Sequence, residues 1–93
     1  MKSFNQYINE MREYDELKEK DKEQLIKQDP YNIRYLTYPS IELQKLAASL
    51  NGLVLQFLPR CPIEVQKIAV LQNKDAIEYI DNPSEEILEL LKK

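Results

Sequence analysis

The chain has 93 residues and a mass of 11.0 kDa, which is enough for one domain with one hydrophobic core. Its 13 Lys and Arg against 16 Asp and Glu give a net charge of −3, so no positive field attracts nucleic acid and we expect no nucleic-acid partner. The single cysteine cannot form an internal disulfide, and no stretch approaches the roughly 20 apolar residues that span a bilayer. These features predict a reduced, cytoplasmic protein without a membrane partner.

The residue types needed for most catalytic sites are missing. Histidine is absent and there is only one glycine, which removes the commonest general base and metal ligand and excludes a glycine-rich phosphate loop. Cys61 beside Arg60 is the one conceivable nucleophile, but it has no histidine partner. Asp81, Glu85 and Glu86 could form a carboxylate pair, although acidic residues at a helix start more often act as caps and dipole partners. We therefore expect no enzymatic activity, no cofactor and no metal site.

Residues 1–28 predict an N-terminal capping helical segment. Ser3 suits the N-cap position, and apolar residues then recur at helical spacing. These residues are Phe4, Tyr7, Ile8, Met11, Tyr14 and Leu17. Every residue from Lys18 to Glu23 is charged, which indicates a solvated face or a break between helices. Leu25 and Ile26 then supply the apolar end of a degenerate helix that stops at Asp29-Pro30.

A 22-residue repeat occupies residues 29–93. Glu42-Leu43-Gln44-Lys45-Leu46-Ala47 recurs 22 positions later as Glu64-Val65-Gln66-Lys67-Ile68-Ala69. Over the full period, Ser40–Cys61 and Pro62–Pro83 share six identities and seven apolar-for-apolar exchanges, too many for unrelated helices. A partial copy begins at Asp29, and a fourth copy ends after its first helix. A unit this short cannot bury its own apolar face, so neighbouring units must stack around one core.

Each unit is expected to contain a long helix, a tight turn and a short helix. Pro39-Ser40 and Pro83-Ser84 provide start signals for the long helix, with serine as the N-cap. The long helix should bury Leu43, Leu46, Ala47 and Leu50 in one copy and Val65, Ile68, Ala69 and Val70 in the next. Asn51-Gly52 and Asn73-Lys74 should end it through a left-handed residue. The short helix should bury Val54, Leu55 and Leu58, or Ala76, Ile77 and Ile80. The predicted fold is all-α, a short array of stacked helix-turn-helix repeats.

Three segments of the repeat match a known pattern. Asn82-Pro83-Ser84-Glu85-Glu86-Ile87, Val65–Asn73 and Ala76–Ile80 correspond to its opening, middle and end. In these segments the chain resembles a short tandem helical repeat of unknown function found in bacterial, phage and giant-virus proteins. The resemblance covers about residues 29–93 and implies an α-helical array, without implying a biochemical activity. Pro59-Arg60-Cys61 departs from the pattern, which implies a distorted turn there.

The first ten residues carry a second resemblance. Met1-Lys2-Ser3-Phe4 and Tyr7-Ile8-Asn9-Glu10 are similar to the N-terminal targeting peptides of proteins packed inside the heads of large contractile-tailed phages. The resemblance implies a location in the virion interior and cleavage after Glu10 by a prohead protease. The alternative interpretation is that Phe4, Tyr7 and Ile8 pack a capping helix onto the array.

The repeat alignment also selects a candidate partner-binding surface. Tyr35 and Tyr79 occupy the Phe57 position and are expected in the core. Tyr38 aligns with polar residues near a turn, which predicts an exposed aromatic of the kind enriched in binding hot spots. The predicted partner-binding residues are Tyr31, Arg34, Tyr38 and Arg60; the alternative is an ordinary solvated surface.

These observations favour a non-enzymatic protein-protein interaction module. The two resemblances imply a phage or virus origin, so the expected partner is a host or virion protein, for example one that the module inhibits in the host cytoplasm. The alternative is an internal head protein that is packaged and ejected with the genome. An enzyme that uses Cys61 is the third and least favoured hypothesis.

Overall fold

A computed structural model describes residues 17–92, and every regular element in this range is a helix. Four α-helices alternate with three six-residue 3₁₀-helices. In chain order they are α1 (Glu19–Gln28), η1 (Pro30–Tyr35), α2 (Ile41–Leu50), η2 (Gly52–Phe57), α3 (Ile63–Gln72), η3 (Lys74–Tyr79) and α4 (Glu85–Leu91). The all-α prediction is confirmed. No helix among residues 17–92 combines the length and apolar character needed to cross a membrane. Most of the predicted capping helix, and the whole phage-like N-terminal motif, lie outside the described residues.

The elements repeat with the period read from the sequence. The four α-helices begin at Glu19, Ile41, Ile63 and Glu85, each 22 positions after the one before, and the 3₁₀-helices keep the same interval. Unit 1 comprises residues 18–39, unit 2 residues 40–61, unit 3 residues 62–83, and the shortened unit 4 residues 84–92. All extensive contacts join elements of the same unit or of adjacent units. The described residues therefore form a linear stack, as expected for a helical repeat.

The charged run from Lys18 to Glu23 is not a break between helices; the other interpretation, a solvated helix face, fits the structure, since Glu19 and Lys20 are exposed on a helix. The run forms the first half of α1. Glu and Lys are good helix formers, and Glu19 and Asp21 lie in the first turn, where negative charge is favourable. Leu25 and Ile26 are buried and attach the helix to the stack, so unit 1 contains a complete long helix.

Equivalent positions are buried in successive units. Three rows supply most of the α-helical core: Leu25, Ala47 and Ala69; Ile26, Ala48 and Val70; and Leu43, Val65 and Ile87. The prediction was wrong for Leu50, the last residue of α2, which is 45% exposed, because Ala48 lies on the buried face instead. Val54 and Leu55 of η2, and Leu58 directly after it, are buried as predicted. The packing of each long helix against the next one thus supplies the core.

The turn between the long and short helices is extended and not left-handed, which corrects the sequence prediction. Asp29, Asn51 and Asn73 have φ of −156°, −156° and −153°. Each donates its N–H to a carbonyl of the preceding α-helix, and its side-chain oxygen accepts a hydrogen bond from the N–H two residues later, at 2.9–3.0 Å. One residue therefore ends the α-helix and caps the 3₁₀-helix. The one positive φ at a described non-glycine residue is 53° at Asn82.

Serine caps two of the four α-helices. The hydroxyl oxygens of Ser40 and Ser84 accept from the N–H of Leu43 and Ile87, at 3.2 and 3.4 Å, as predicted. Pro62 and Lys18 occupy the same position in their units and provide no side-chain cap. The first turns of α1 and α3 therefore lack a stabilising contact that α2 and α4 have.

A ladder of polar contacts joins adjacent units on the surface. Lys45 pairs with Glu64 at 3.5 Å, and Lys67 makes the equivalent pair with Glu86 one unit later. At the junction of units 1 and 2 the corresponding positions hold two carboxylates, Glu23 and Glu42. The first junction therefore has two negatively charged residues at the positions where the other two junctions have an ion pair.

Candidate protein-binding groove

A groove of about 380 Å³ lies where the loops that follow η1 and η2 meet. Residues 36–39 form one wall and residues 58–61 form the other. Gln44 and Phe57 complete the lining. The two loops occupy equivalent places in adjacent units, so the groove is a direct product of the stacking.

Buried leucines fix the base of each loop. Leu36 and Leu58 are buried, and their N–H groups donate to the carbonyls of Ile33 and Leu55 at 3.0 and 2.9 Å. The residues that follow are therefore held at the surface. Tyr38 is 91% exposed, which confirms its predicted exposure. Arg60, its equivalent in the next unit, is also exposed and lines the opposite wall.

Tyr31 supports the groove from behind. Its ring meets the ring of Phe57 edge to face, with centroids 5.4 Å apart and planes at 75°. This contact joins η1 to η2 and is a favoured geometry for aromatic pairs. Tyr31 is half-buried against the core and does not line the groove. Phe57 lies between it and the surface for which it was predicted.

Arg34 lies outside the groove and pairs with Tyr35. Its guanidinium donates to the Tyr35 hydroxyl at 2.7 Å and lies over the same ring, 4.7 Å from the centroid. The hydrogen bond to Tyr35 raises the pKa of Arg34 above its ordinary value. The structure therefore brings Tyr38 and Arg60 together on one groove, while Arg34 belongs to a separate surface pair.

The prediction that Tyr35 and Tyr79 are core residues was wrong. They are 44% and 40% exposed, whereas Phe57 at the equivalent position is half-buried. A tyrosine retains a polar hydroxyl that favours water or a surface partner, and Arg34 is that partner for Tyr35. The repeat alignment identified the position correctly but overestimated its burial.

The environment of Cys61 disfavours ionisation of its thiol. Cys61 is half-buried at the edge of the groove, and this burial raises the pKa of the thiol above its ordinary value. The raised pKa disfavours the thiolate, which is the nucleophilic form of cysteine. Among the carboxylates considered for catalysis, Glu86 is committed to its ion pair with Lys67. The described residues hold no group of three or more His, Cys, Asp or Glu placed to bind a metal ion.

Gln44 is a groove residue that the sequence interpretation missed. Its amide nitrogen donates to the Pro39 carbonyl at 2.9 Å and so braces the first wall, as the equivalent Gln66 does for the second at 3.2 Å. Its side-chain oxygen is buried and has no hydrogen-bond partner among the described residues. The identity of Gln44 and Gln66 in the repeat was visible in the sequence, but only the structure places an unpaired acceptor beside the groove.

Comparisons with known proteins give no relative. No family model matches the chain, and no curated protein or solved structure shows significant similarity to it. The groove geometry and the sequence are therefore the basis for proposing a function.

Proposed function

We propose that the chain is a non-enzymatic protein-binding module that uses the groove between units 1 and 2. The observation that carries the proposal is the position of two exposed side chains on opposite walls of an apolar groove: Tyr38, which is 91% exposed, and Arg60. Tyrosine and arginine are, with tryptophan, the residue types enriched in binding hot spots, and Tyr38 is too exposed to contribute to the core.

The composition supports a binding role over a catalytic one. The chain contains no histidine, which is the commonest general base, and burial raises the pKa of the Cys61 thiol, which disfavours the nucleophilic thiolate. Helical repeats commonly present side chains from successive units on one surface, which is the arrangement of Tyr38 and Arg60.

We further propose that the module is virus-encoded and acts on a host or virion protein, for example as an inhibitor. This part rests on the resemblance of residues 29–93 to the tandem repeat of phage, giant-virus and bacterial proteins. The predicted action is occupation of a surface on the partner, with no chemical change in either protein.

The proposed function is tested by affinity capture from host lysate with the wild-type chain and a Tyr38→Ala/Arg60→Ala variant. A Tyr31→Ala/Tyr38→Ala/Arg60→Ala variant extends the test to the support behind the groove. Removal of two hot-spot side chains should weaken capture of a specific partner at least about tenfold. The matched control is Leu71→Ala/Lys74→Ala, which removes exposed side chains from unit 3 and should leave capture unchanged.

Equal capture by the wild-type and groove variants would contradict the proposal. Thermal unfolding of each variant establishes that the fold is retained. Because Tyr38 and Arg60 are exposed, their replacement should change the free energy of unfolding by no more than about 0.5 kcal/mol.

The second candidate function is an internal head protein, favoured by the N-terminal motif Met1-Lys2-Ser3-Phe4 and the Ile8-x-Glu10 sequence. In that case the first ten residues serve as a packaging address. Mass spectrometry of virion proteins would then find a mature chain that begins at Met11. Detection of only the uncleaved chain, outside virions, would favour the binding module.

A further inference from the structure

We propose that the groove binds an extended peptide segment in which a carboxylate lies next to a large apolar side chain. This inference rests on the proposed function, because it specifies the chemistry of the partner at the same groove. Three features of the lining carry it: one cationic side chain, an apolar base and one unpaired acceptor.

Arg60 defines the charge of the ligand. It is the one charged side chain that lines the groove, and no ion pair joins it to any described residue. The guanidinium offers a planar fork of donors that matches a carboxylate in two parallel hydrogen bonds. A nucleic-acid backbone would need several cations at once, which a lining with one arginine in a chain of net charge −3 does not provide.

The base and rims of the groove define the apolar part of the ligand. Leu36, Leu58 and Phe57 contribute apolar surface, and Pro39 and Pro59 form the rims. The exposed ring of Tyr38 can close over a side chain placed there, in the manner of an aromatic anchor at an interface. Leu, Met and the aromatic residues fit this environment.

Gln44 defines the hydrogen bond that the ligand donates. Its buried side-chain oxygen has no partner among residues 17–92, and a buried acceptor left unpaired is costly. Because Gln44 lines the groove, we infer that its side chain turns toward a bound peptide and that a peptide N–H then satisfies this oxygen, which a purely hydrophobic ligand cannot do. The combination of carboxylate, apolar side chain and N–H is that of an acidic residue adjacent to an apolar residue in an extended chain.

The inference is tested by selecting binders from a random 12-residue peptide library on the full chain. Wild type should enrich peptides in which Asp or Glu is adjacent to an aromatic residue, Leu or Met. The Arg60→Glu variant should bind the best of these peptides at least about tenfold more weakly and should enrich basic peptides instead. The matched control is Lys74→Glu, the same charge reversal at an exposed position of unit 3, which should change the affinity less than about twofold.

A second measurement locates the contact. In ¹H–¹⁵N spectra of the chain, the selected peptide should shift the side-chain amide signals of Gln44 more than those of Gln66. Methylation of the peptide nitrogens one at a time should reduce affinity strongly at a single position, the N–H that faces the Gln44 oxygen.

The outcomes separate this inference from the proposed function. Enrichment without acidic residues, no enriched peptide, equal affinity of acidic peptides for Arg60→Glu, or displacement of the peptide by a single-stranded oligonucleotide would overturn the inference. Specific capture of a lysate protein that depends on Tyr38 and Arg60 would still support the proposed function. Equal capture by the wild-type chain and the groove variants would overturn both the inference and the proposed function.

Discussion

The absence of a side chain at Gly52 permits the backbones of units 2 and 3 to contact each other. A Cβ atom there would overlap the Ala69 carbonyl oxygen, and the Gly52 N–H donates to the side-chain oxygen of Gln72 at 2.6 Å. Gly52 does not have a positive φ, so the requirement is for space and not for a left-handed backbone. The expectation from the sequence, that this glycine adopts a left-handed conformation that ends the helix, was wrong.

Gly52→Ala should therefore destabilise the protein by about 1–3 kcal/mol, because the new methyl group forces two adjacent units apart. The free energy of unfolding from urea titration measures this loss. Lys74→Ala, at the equivalent and exposed position of unit 3, is the matched control and should change stability by less than about 0.5 kcal/mol. A Gly52→Ala protein as stable as wild type would show that the close approach is absent in solution.

Cys61 should be alkylated slowly. Burial raises the pKa of its thiol, so at pH 8 the folded chain should react with iodoacetamide more slowly than the urea-unfolded chain, and its rate should rise at higher pH. The thiol favours the folded state fully below the unfolded pKa, and this contribution is lost as pH rises through the folded pKa. Stability should accordingly decline in alkaline solution, and less so in a Cys61→Ala variant. Faster alkylation of the folded chain would indicate an activated thiolate.

At the scale of one element, the caps account for part of the stability of each long helix. Ser40 caps α2 and also donates to Glu19 of unit 1 at 2.6 Å. Ser40→Ala should cost about 1 kcal/mol, measured by thermal or urea unfolding. Ser49→Ala makes the same chemical change in the exposed last turn of the same helix and should be neutral within about 0.5 kcal/mol. Equal effects of the two substitutions would assign no stability to the cap.

The sequence predicted the elements well where the period was supported by apolar residues, and less well elsewhere. Units 2 and 3 carry matched apolar rows, so their helices and the stacking were predictable. In unit 1 the same helix is built largely from Lys and Glu, whose pattern does not distinguish a helix from a charged loop. The extended turn was also missed, although Pro30 after Asp29 was a signal that the acidic residue caps the next helix.

The candidate groove was partly predictable for a related reason. Tyr38 and Arg60 are one period apart, and stacking therefore places them on adjacent loops. Both residues lie next to a proline in a predicted turn, and residues in such turns are usually exposed. The contribution of Gln44 was not predictable, because whether an amide oxygen finds a donor depends on the packing of two units and not on local sequence.

At the scale of the whole molecule, the stack is uneven along its length. The contacts of α1 with α2, and of η1 with η2, are less extensive than the corresponding contacts between units 2 and 3. The first junction also has Glu23 and Glu42 at the positions where Lys45 and Glu64 pair in the second. We therefore expect the first junction to be the less stable of the two.

Glu23→Lys should complete the surface ladder. The new lysine can pair with Glu42 as Lys45 does with Glu64, and a gain of about 0.3–1 kcal/mol should raise the Tm by a few degrees at low salt. In 1 M NaCl most of the gain should disappear. Glu78→Lys, an exposed position on η3, changes the net charge equally and is the control. A similar, salt-sensitive rise in Tm in both variants would show that the change in net charge, and not a new ion pair with Glu42, stabilises the protein.

The uneven stack has a consequence for the groove, since the walls of the groove come from units 1 and 2, whose contacts are less extensive than those between units 2 and 3. Separation of unit 1 from unit 2 would pull Tyr38 away from Arg60 and abolish the proposed binding surface. A segment that contacts both walls would hold the two units together, so occupancy should slow amide hydrogen exchange in α1 and η1 more than in α3. Binding of a ligand in the proposed groove and docking of unit 1 onto unit 2 would then be coupled, so that each stabilises the other.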